Sequence, residues 1–403
     1  MATGSTAIAA STATGARTAR TTLLGLTLFS VGHFFIDLYS STLGVFQPLL
    51  IDKLHFSLTQ AGLLGGALLF ASSVTQPAFG YLSDRFRTRL FAALAPATAG
   101  IFISALGLAS SYWMLFVMLM MGGLAISAFH PQASSRATVG LKHRARWMAV
   151  FISAGTLGLS FGPASFAGLF RVVGLEGAFI GAVPGVLTTV LLLALLPEHQ
   201  RPADAPAHRF DLRPLAAVWK PLAVLYALVF LRSVVQVSFT QFLPLYLGRE
   251  RGYSMADASW ALSMYLASGA IGGFSGGQLA DRFGGKRIIQ ISMFGSLPLL
   301  LLFFFTRGPL SMLGLATGGL ILLFTIPVNV VMAQELVPSQ AGTVSALMMG
   351  FAWGMAGVIC IPLTGWAADR FSLHQTLLAQ MAIPVIGGIL TFFLPNENSR
   401  MSH

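Results

Sequence analysis

The chain has 403 residues, of which 55% are hydrophobic and only 9% are charged, and its mean hydropathy is +0.77. Soluble globular domains carry about 25% charged residues, so this composition excludes an ordinary soluble protein and indicates a multi-pass membrane protein. The net charge of +11 would suggest a nucleic-acid partner if its distribution along the chain did not argue against one.

Apolar runs of about 20 residues, the length that crosses a bilayer as an α-helix, recur along the whole chain. Because unpaired backbone groups are not tolerated in hydrocarbon, these runs are predicted to be helices, and they are too continuous for barrel strands. The sequence therefore predicts an all-α polytopic membrane protein. Its twelve spans are placed at 22–51, 58–82, 89–110, 113–138, 147–170, 177–196, 217–247, 257–280, 288–306, 309–334, 341–368 and 373–394.

The basic residues are concentrated on one side of this topology. With twelve spans both termini share a side, and 17 of the 24 Lys and Arg fall on that side. This is the positive-inside bias, which predicts cytoplasmic termini and accounts for the net charge without nucleic acid. Residues 1–20 and 396–403 are predicted to be cytoplasmic tails, the first of them flexible, and the Pro-rich segment 198–216 is predicted to be a cytoplasmic linker.

The linker separates two six-helix halves, 21–197 and 217–395, whose sequences repeat each other. A Gly-x-Leu-x-Asp-Arg-Phe stretch occurs in both halves at an offset of 197, and Pro163 matches Pro362 at an offset of 199. These markers indicate a parallel duplication, and a third Asp-Arg-Phe at Asp369 hints at an inverted repeat within each half. The repeated stretches are predicted to form a gating latch or, alternatively, only to fix topology; their residues are Gly80, Asp84, Arg85, Gly277, Asp281 and Arg282.

The first span contains an ionisable pair, His33 and Asp37, four residues apart on one helical face. A charge within a span costs roughly 2.5 kcal/mol or more, so it is retained mainly where it faces a cavity or a partner. The protonation of a buried carboxyl depends on a competition between desolvation and nearby cations, which suits a proton carrier. Asp37 and His33 are therefore predicted to couple proton movement, or alternatively to form a static hydrogen bond that stiffens the helix.

The fourth span carries His130 before Pro131, which is predicted to bend the helix. His130 is predicted to take part in substrate binding or gating, or alternatively to cap a carbonyl freed by the proline. Further along, Arg136 is predicted either to gate the inner mouth or to anchor the helix at the membrane interface. Glu335 of the tenth span is a candidate partner for Arg136 in such a gate.

Arg232 is the one basic residue deep within a span. Its planar guanidinium group carries several N–H donors, whose geometry suits a carboxylate, phosphate or phosphonate. It is predicted to bind an anionic substrate together with Gln236, or alternatively to lock the halves through an ion pair with Asp37. Asn329 is predicted to contact substrate or to pack between helices. Phe239 and Trp353 are candidates to flank a ligand, with core packing as the alternative.

The two loop stretches resemble the loop motif of the major facilitator superfamily. "GHFFIDLYSS", "SAFHPQASSRA" and "MAQELVPSQAGTVSALMMGFAWGMAGV" further resemble its fosmidomycin-resistance branch of drug/proton antiporters. The run Gly158-x-x-x-Gly162-Pro163 is similar to the exporter motif of helix 5, although only Gly168 stands where that motif ends in two glycines. This resemblance implies two six-helix halves, a cavity lined by helices 1, 4, 7 and 10, gating by Gly162 and Pro163, and proton-driven export of a small anionic antibiotic.

The sequence therefore predicts a proton-coupled antiporter that exports a small anionic or amphiphilic compound by alternating access. The alternatives are a proton-coupled importer of organic anions and, from another class, a membrane enzyme or sensor. The sequence contains no clustered nucleophile, metal-ligand pattern or phosphate-binding loop, so we expect no enzyme activity, no metal and no cofactor beyond the proton gradient. The expected partners are a small-molecule substrate, protons and lipids, with a monomer as the working unit in the bacterial inner membrane.

Overall fold

The structure, a computed structural model, describes residues 3–86, 88–142, 144–196 and 213–395, and every regular element in these ranges is helical. Twelve helices, α1 to α12, correspond to the predicted spans, and several consist of consecutive segments. They are α1 (Thr3–Ser40 and Leu43–Leu54), α2 (Leu58–Leu69, Phe70–Val74 and Gln76–Phe86), α3 (Leu90–Ser104 and Ala105–Leu108), α4 (Tyr112–Arg136), α5 (Arg144–Gly177), α6 (Val183–Leu195), α7 (Trp219–Arg251), α8 (Met255–Phe283), α9 (Gly285–Phe305), α10 (Gly308–Leu322 and Thr325–Leu336), α11 (Ala341–Ser345, Ala346–Phe351 and Ala352–Arg370) and α12 (Leu373–Ala379, Ala382–Leu390 and Thr391–Phe393).

Ten stretches of the described chain are long and apolar enough to cross a membrane. One of them, Arg146–Leu195, has 50 residues and is interrupted at Gly174, where φ is 73°, so that it contains two of the predicted helices. The helix Met255–Phe283 is not among the ten but is long enough to span at 29 residues. Its glycines and serines lower its hydropathy while they allow close packing against neighbouring helices. The fold is therefore the predicted all-α bundle of twelve transmembrane helices.

Over residues 1–20, where a flexible cytoplasmic tail is predicted, the described backbone is helical, and flexibility of this segment stays a prediction. The backbone is helical from Thr3 and continuous with the first transmembrane helix. Alanine-rich sequence has a high helix propensity, which the prediction did not weigh. Most of the predicted linker 198–216, from its start to residue 212, and the predicted tail 396–403 lie outside the described residues.

One contact between a glycine and a proline of two helices occurs in both halves at the same distance. At Gly80 on α2 an added Cβ would lie 3.6 Å from Pro131 on α4, and at Gly277 on α8 it would lie 3.6 Å from Pro327 on α10. Both glycines belong to the duplicated loop stretches, and both prolines interrupt the backbone hydrogen bonding of a helix. The sequence repeat is therefore also a structural repeat, with each half containing six helices.

The halves meet most closely at the end of the bundle away from the chain termini, which we call the distal end. There α1 packs on α7, α2 on α11 and α5 on α8. Close approach requires glycine at these crossings: a Cβ at Gly62 would lie 2.7 Å from the carbonyl oxygen of Ile361. The structure is thus tightly closed between the halves on the distal side.

Polar contacts reinforce the closed distal end. The Asp369 carboxylate, at the end of α11, accepts from the backbone N–H of Leu58 at 2.9 Å and of Thr59 at 2.7 Å, and from the Thr59 hydroxyl at 2.6 Å. These donors open helix α2, where an anion is favoured by the unpaired N–H groups. An ion pair of 3.0 Å between Arg249 and Asp52 joins the same two halves.

Candidate functional site

Three ionisable side chains from α1 and α4 form one hydrogen-bonded cluster. The Asp37 carboxylate contacts His33 Nε2 through Oδ2 at 3.2 Å and His130 Nε2 through Oδ1, also at 3.2 Å. On their other side, His33 Nδ1 donates to the carbonyl of Phe151 at 2.8 Å, and His130 Nδ1 donates to that of Ile126 at 2.9 Å. Both histidine rings are therefore held at both nitrogens, and we call this group the proton cluster.

Helix α5 forms the wall behind the proton cluster. The Phe151 ring stacks on His33 with a centroid distance of 4.3 Å, in addition to the bond from its carbonyl. One turn further, an added Cβ at Gly155 would lie 2.5 Å from Asp37 Oδ2. Gly155 thus leaves the space that the carboxylate occupies. The sequence prediction did not single out Phe151 or Gly155, because neither is polar.

A cavity of about 290 Å³ lies between the halves and is bordered by the proton cluster. Asp37 and His130 form part of its wall in the N-terminal half, whereas Gln236 and Trp353 face it from the C-terminal half. Two π-helical segments, Phe70–Val74 on α2 and Ala346–Phe351 on α11, also contribute residues to the wall. Such segments often occur at functional sites, so the arrangement fits a central binding cavity.

Arg232 is not among the residues that line this cavity, and its predicted direct contact with substrate stays a prediction. Its side chain is 5% exposed and donates to the amide oxygen of Gln236, one turn along α7. Gln236 is the residue of the pair that reaches the cavity. The alternative ion pair between Arg232 and Asp37 is also absent from the described contacts, since both carboxylate oxygens of Asp37 are engaged by histidines.

Two other predicted substrate contacts lie away from the cavity wall. Phe239 is fully buried among the aromatic rings of Tyr265, Phe303 and Phe304, with centroid distances from 5.5 to 6.1 Å. It lies on the flank of α7 that packs on α8 and α9, so core packing is its role. Asn329 is also fully buried, and neither atom of its amide has a hydrogen-bond partner among the described residues.

The predicted gating residues lie where the helices cross or end. Gly162 packs on the Leu38 carbonyl and Ser41 of α1, beside the buried Pro163. Arg85, Asp281 and Arg282 are exposed at the end of the bundle that carries the termini, and Arg85 donates to the Tyr81 hydroxyl at 3.3 Å. The side chain of Asp84 lies outside the described part. Arg136 is half-buried and Glu335 exposed, and their pairing as a gate stays a prediction.

The proton cluster also meets the minimum geometry for a metal site. One ligand atom from each of His33, Asp37 and His130 lies within 4.8 Å of the others. The nitrogen–oxygen contacts of 3.2 Å are, however, hydrogen-bonding distances already closed between the side chains. The expectation of no metal stays a prediction.

Similar proteins are known from sequence. The chain is 30% identical over 384 residues to the MFS-type transporter YfnC of Bacillus subtilis (strain 168), covering 92% of this chain and 93% of the relative. It is 28% identical over 398 residues to the fosmidomycin resistance protein of Escherichia coli (strain K12), covering 95% of each. The resemblance to the fosmidomycin-resistance branch is thus confirmed along almost the full length.

Solved structures share the fold at low sequence identity. A bacterial homologue of the human lysosomal transporter Spinster, in an inward-facing and occupied conformation, matches with a TM-score of 0.77 and 16% identity over 92% of this chain and 96% of that one. The nucleoside transporter NupG matches with a TM-score of 0.74 and 14% identity, covering 92% and 98%. The model of the Major Facilitator Superfamily matches residues 29–359. This multi-pass membrane protein is a transporter rather than an enzyme, and it belongs to the major facilitator superfamily.

Proposed function

We propose that this transporter is a proton-coupled antiporter that exports a small anionic or amphiphilic compound, such as a fosmidomycin-like antibiotic, by alternating access. The observation that carries the proposal is the proton cluster of His33, Asp37 and His130 on the wall of the cavity between the halves. The names of the similar proteins support export of an antibiotic: one relative confers fosmidomycin resistance, and others are multidrug resistance proteins.

The hydrogen bonds of the cluster determine how many protons it can hold. A backbone carbonyl can only accept, so the Nδ1 atoms that contact Phe151 and Ile126 must carry hydrogen. Each Nε2 then faces an oxygen of Asp37, and each of these two contacts becomes a hydrogen bond only when a further proton lies on it. The cluster thus has two places for exchangeable protons, and losing both leaves lone pairs facing each other.

Protonation of the cluster and occupancy of the cavity influence each other because they share a wall. Antiport requires that the proton and the compound are held in turn and not together, so binding of the compound must release a proton from the cluster, and protonation of the cluster must release the compound. Exchange requires that the transporter releases the compound and takes up a proton on one side of the membrane, and releases the proton and takes up the compound on the other side. The closed distal end with Asp369 and Arg249 provides one such state, and rocking of the two halves provides the other.

The energy source in this proposal is the proton gradient across the bacterial inner membrane, without a cofactor. The transporter works as a monomer among lipids, with both termini cytoplasmic. The orientation can be tested in a Cys360→Ser background. Arg307→Cys, at the distal end, should react with an impermeant maleimide in intact cells, and Lys142→Cys should react only after permeabilisation. The reverse pattern would overturn the orientation.

Transport by everted membrane vesicles with an internal pH dye tests the function. Addition of fosmidomycin should drive proton movement with the wild-type protein, and this movement should be lost in Asp37→Asn. Asp257→Asn is the matched control, because Asp257 is exposed, hydrogen-bonds to Ser254 within its own half and does not line the cavity. Proton movement that survives in Asp37→Asn would remove the proton cluster from the mechanism.

The direction of transport needs a separate test, since an importer of organic anions would use the same cluster. Cells that express the protein should become more resistant to the exported compound. Increased sensitivity upon expression would instead indicate import, and the proposal of export would fail.

A further inference from the structure

We infer that the side-chain amides of Gln236 and Gln241 form the binding site for an oxyanion group of the transported compound, and that neighbouring hydroxyl oxygens accept from a hydroxyl or N–H group on the same compound. The substrate class is then a compact carboxylate or phosphonate that also carries a hydrogen-bond donor, and organic cations are excluded. This inference rests on the proposed function for the role of the cavity.

The orientation of the Gln236 amide follows from its contact with Arg232. A guanidinium group can only donate hydrogen bonds, so the atom of Gln236 that it contacts is the oxygen, as the structure shows. The NH₂ group of Gln236 is thereby left to face the cavity, which this residue lines. Arg232 is a positioning residue in this arrangement, held 5% exposed behind the amide.

The charge of Arg232 also favours an anion in front of Gln236. The guanidinium is buried, its Nε has no hydrogen-bond partner, and no acidic side chain pairs with it among the described residues. Coulomb interactions are stronger in such surroundings than in water. A buried cation without a counter-charge therefore attracts an oxyanion bound at the neighbouring amide and opposes a cationic ligand.

A second side-chain amide lies on the cavity wall towards the distal end, with its nitrogen buried next to Gly65. Gln241 is 6% exposed, lines the cavity, and its Nε2 is buried without a hydrogen-bond partner in the described part of the chain. It lies against Gly65 of α2, where an added Cβ would lie 2.9 Å from the Gln241 amide carbon. Buried amide donors are almost always paired in proteins, so this donor is placed to bind a ligand oxygen.

Three hydroxyl groups on the cavity wall are limited to accepting hydrogen bonds. Each already donates to a carbonyl of its own helix: Ser40 to Asp37 at 2.8 Å, Ser41 to Leu38 at 3.0 Å and Thr240 to Gln236 at 2.9 Å. All three residues line the cavity, and the partly exposed Ser40 and Thr240 keep oxygen lone pairs for it, whereas the buried Ser41 hydroxyl lies against Gly162. Ser40 and Thr240 therefore select a ligand that carries a hydroxyl or N–H donor.

The acidic group found on the described wall, that of Asp37, is not free to bind an organic cation. The charged or titratable side chains that line the cavity, among the described residues, are Asp37 and His130. Both oxygens of Asp37 are engaged by histidines, so a ligand ammonium group would have to displace one of them. The volume of about 290 Å³ is at the lower end for small-molecule sites, which limits the ligand to a compact molecule.

Calorimetric binding to the purified protein in nanodiscs, without a proton gradient, tests this inference. The probes are 3-hydroxypropylphosphonate, 4-hydroxybutyrate, propylphosphonate, which lacks the hydroxyl, and tetraphenylphosphonium. We expect the two hydroxylated acids to bind at least tenfold more tightly than propylphosphonate, and tetraphenylphosphonium not to bind in the cavity. Equal binding of propylphosphonate, or tighter binding of the cation, would overturn the assignment.

Variants localise the effect. Gln236→Glu replaces the amide donors with a carboxylate that pairs with Arg232, and Gln241→Leu removes the second donor; each should weaken both hydroxylated acids at least tenfold. Gln375→Glu, an exposed position on α12, makes the same kind of change away from the cavity and should bind like wild type. Unchanged binding in Gln236→Glu would contradict the inference. Because no gradient is applied, this outcome is independent of whether Asp37→Asn abolishes proton movement.

Discussion

At the scale of single residues, Gly155 determines whether the proton cluster can assemble. A Cβ at this position would lie 2.5 Å from Asp37 Oδ2 and 2.6 Å from His33 Cε1. His33 is held in place at its other nitrogen by the Phe151 carbonyl, so a side chain at position 155 would have to displace the Asp37 carboxylate. In the proposed mechanism, this close contact couples α5 to the proton cluster.

Gly155→Ala should lower substrate-driven proton movement about tenfold and change its pH dependence. Overpacking a filled site costs about 1–3 kcal/mol, and about 1.4 kcal/mol corresponds to a factor of ten. The measurement is the initial rate of proton movement in everted vesicles between pH 6 and pH 8. Gly168→Ala on the same helix is the control, because nothing lies within 4 Å of its added Cβ. Equal profiles for the two variants would show that the contact at Gly155 has no bearing on the cluster.

At the scale of helices, the carboxylate of Asp369 connects the two halves at the distal end. It accepts three hydrogen bonds from the first turn of α2, at 2.6 to 2.9 Å. Its Asp-Arg-Phe sequence is the same as in the two loop stretches at the opposite end of the bundle. Asp369 thus holds the distal end closed, and we expect the loop aspartates to serve the opposite closure.

Asp369→Ala should shift the population towards a state that is open at the distal end. Hydrogen bonds to an exposed carboxylate contribute about 1–2 kcal/mol in total, which corresponds to a factor of about 5–30 in the equilibrium. The opening can be measured by double electron–electron resonance. Spin labels are attached at Ser110→Cys and Arg307→Cys in a Cys360→Ser background, and the distance between them is recorded. Asp257→Ala is the control, because Asp257 bonds to Ser254 within its own half. An unchanged distance distribution in Asp369→Ala would show that the carboxylate does not hold the gate.

At the scale of the whole molecule, hydropathy and repetition in the sequence were enough to predict the twelve helices and the two halves. The scarcity of charged residues also pointed to α1 and α4 as the helices that carry the ionisable cluster, because His33, Asp37 and His130 are conspicuous in apolar segments. The pairing of His130 with Asp37 was not predictable, since it joins residues 93 positions apart and depends on how α1 crosses α4. The sequence also cannot reveal Gly155, because the effect of a missing side chain appears only when its neighbours are in place.

The sequence pattern likewise could not predict which side chains of α7 line the cavity and which are buried behind it. Gln236 and Thr240 share a helical face and both line the cavity. Arg232 shares that face too, yet its guanidinium is folded behind the Gln236 amide. Phe239 is adjacent to Thr240 in sequence but turns into the aromatic core. Such differences depend on which neighbouring helix fills the space, and hydropathy does not record that.

The account as a whole depends on one cavity in which the proton cluster and the substrate are in contact. The most direct measurement is the number of protons released or taken up when fosmidomycin is added to the purified protein in weakly buffered detergent solution with a pH dye. Wild type should exchange about one proton for each molecule bound, because protonation of the cluster and occupancy of the cavity are coupled, and Asp37→Asn should bind with no exchange. Binding to wild type without any proton exchange, or the same exchange in Asp37→Asn, would contradict the account.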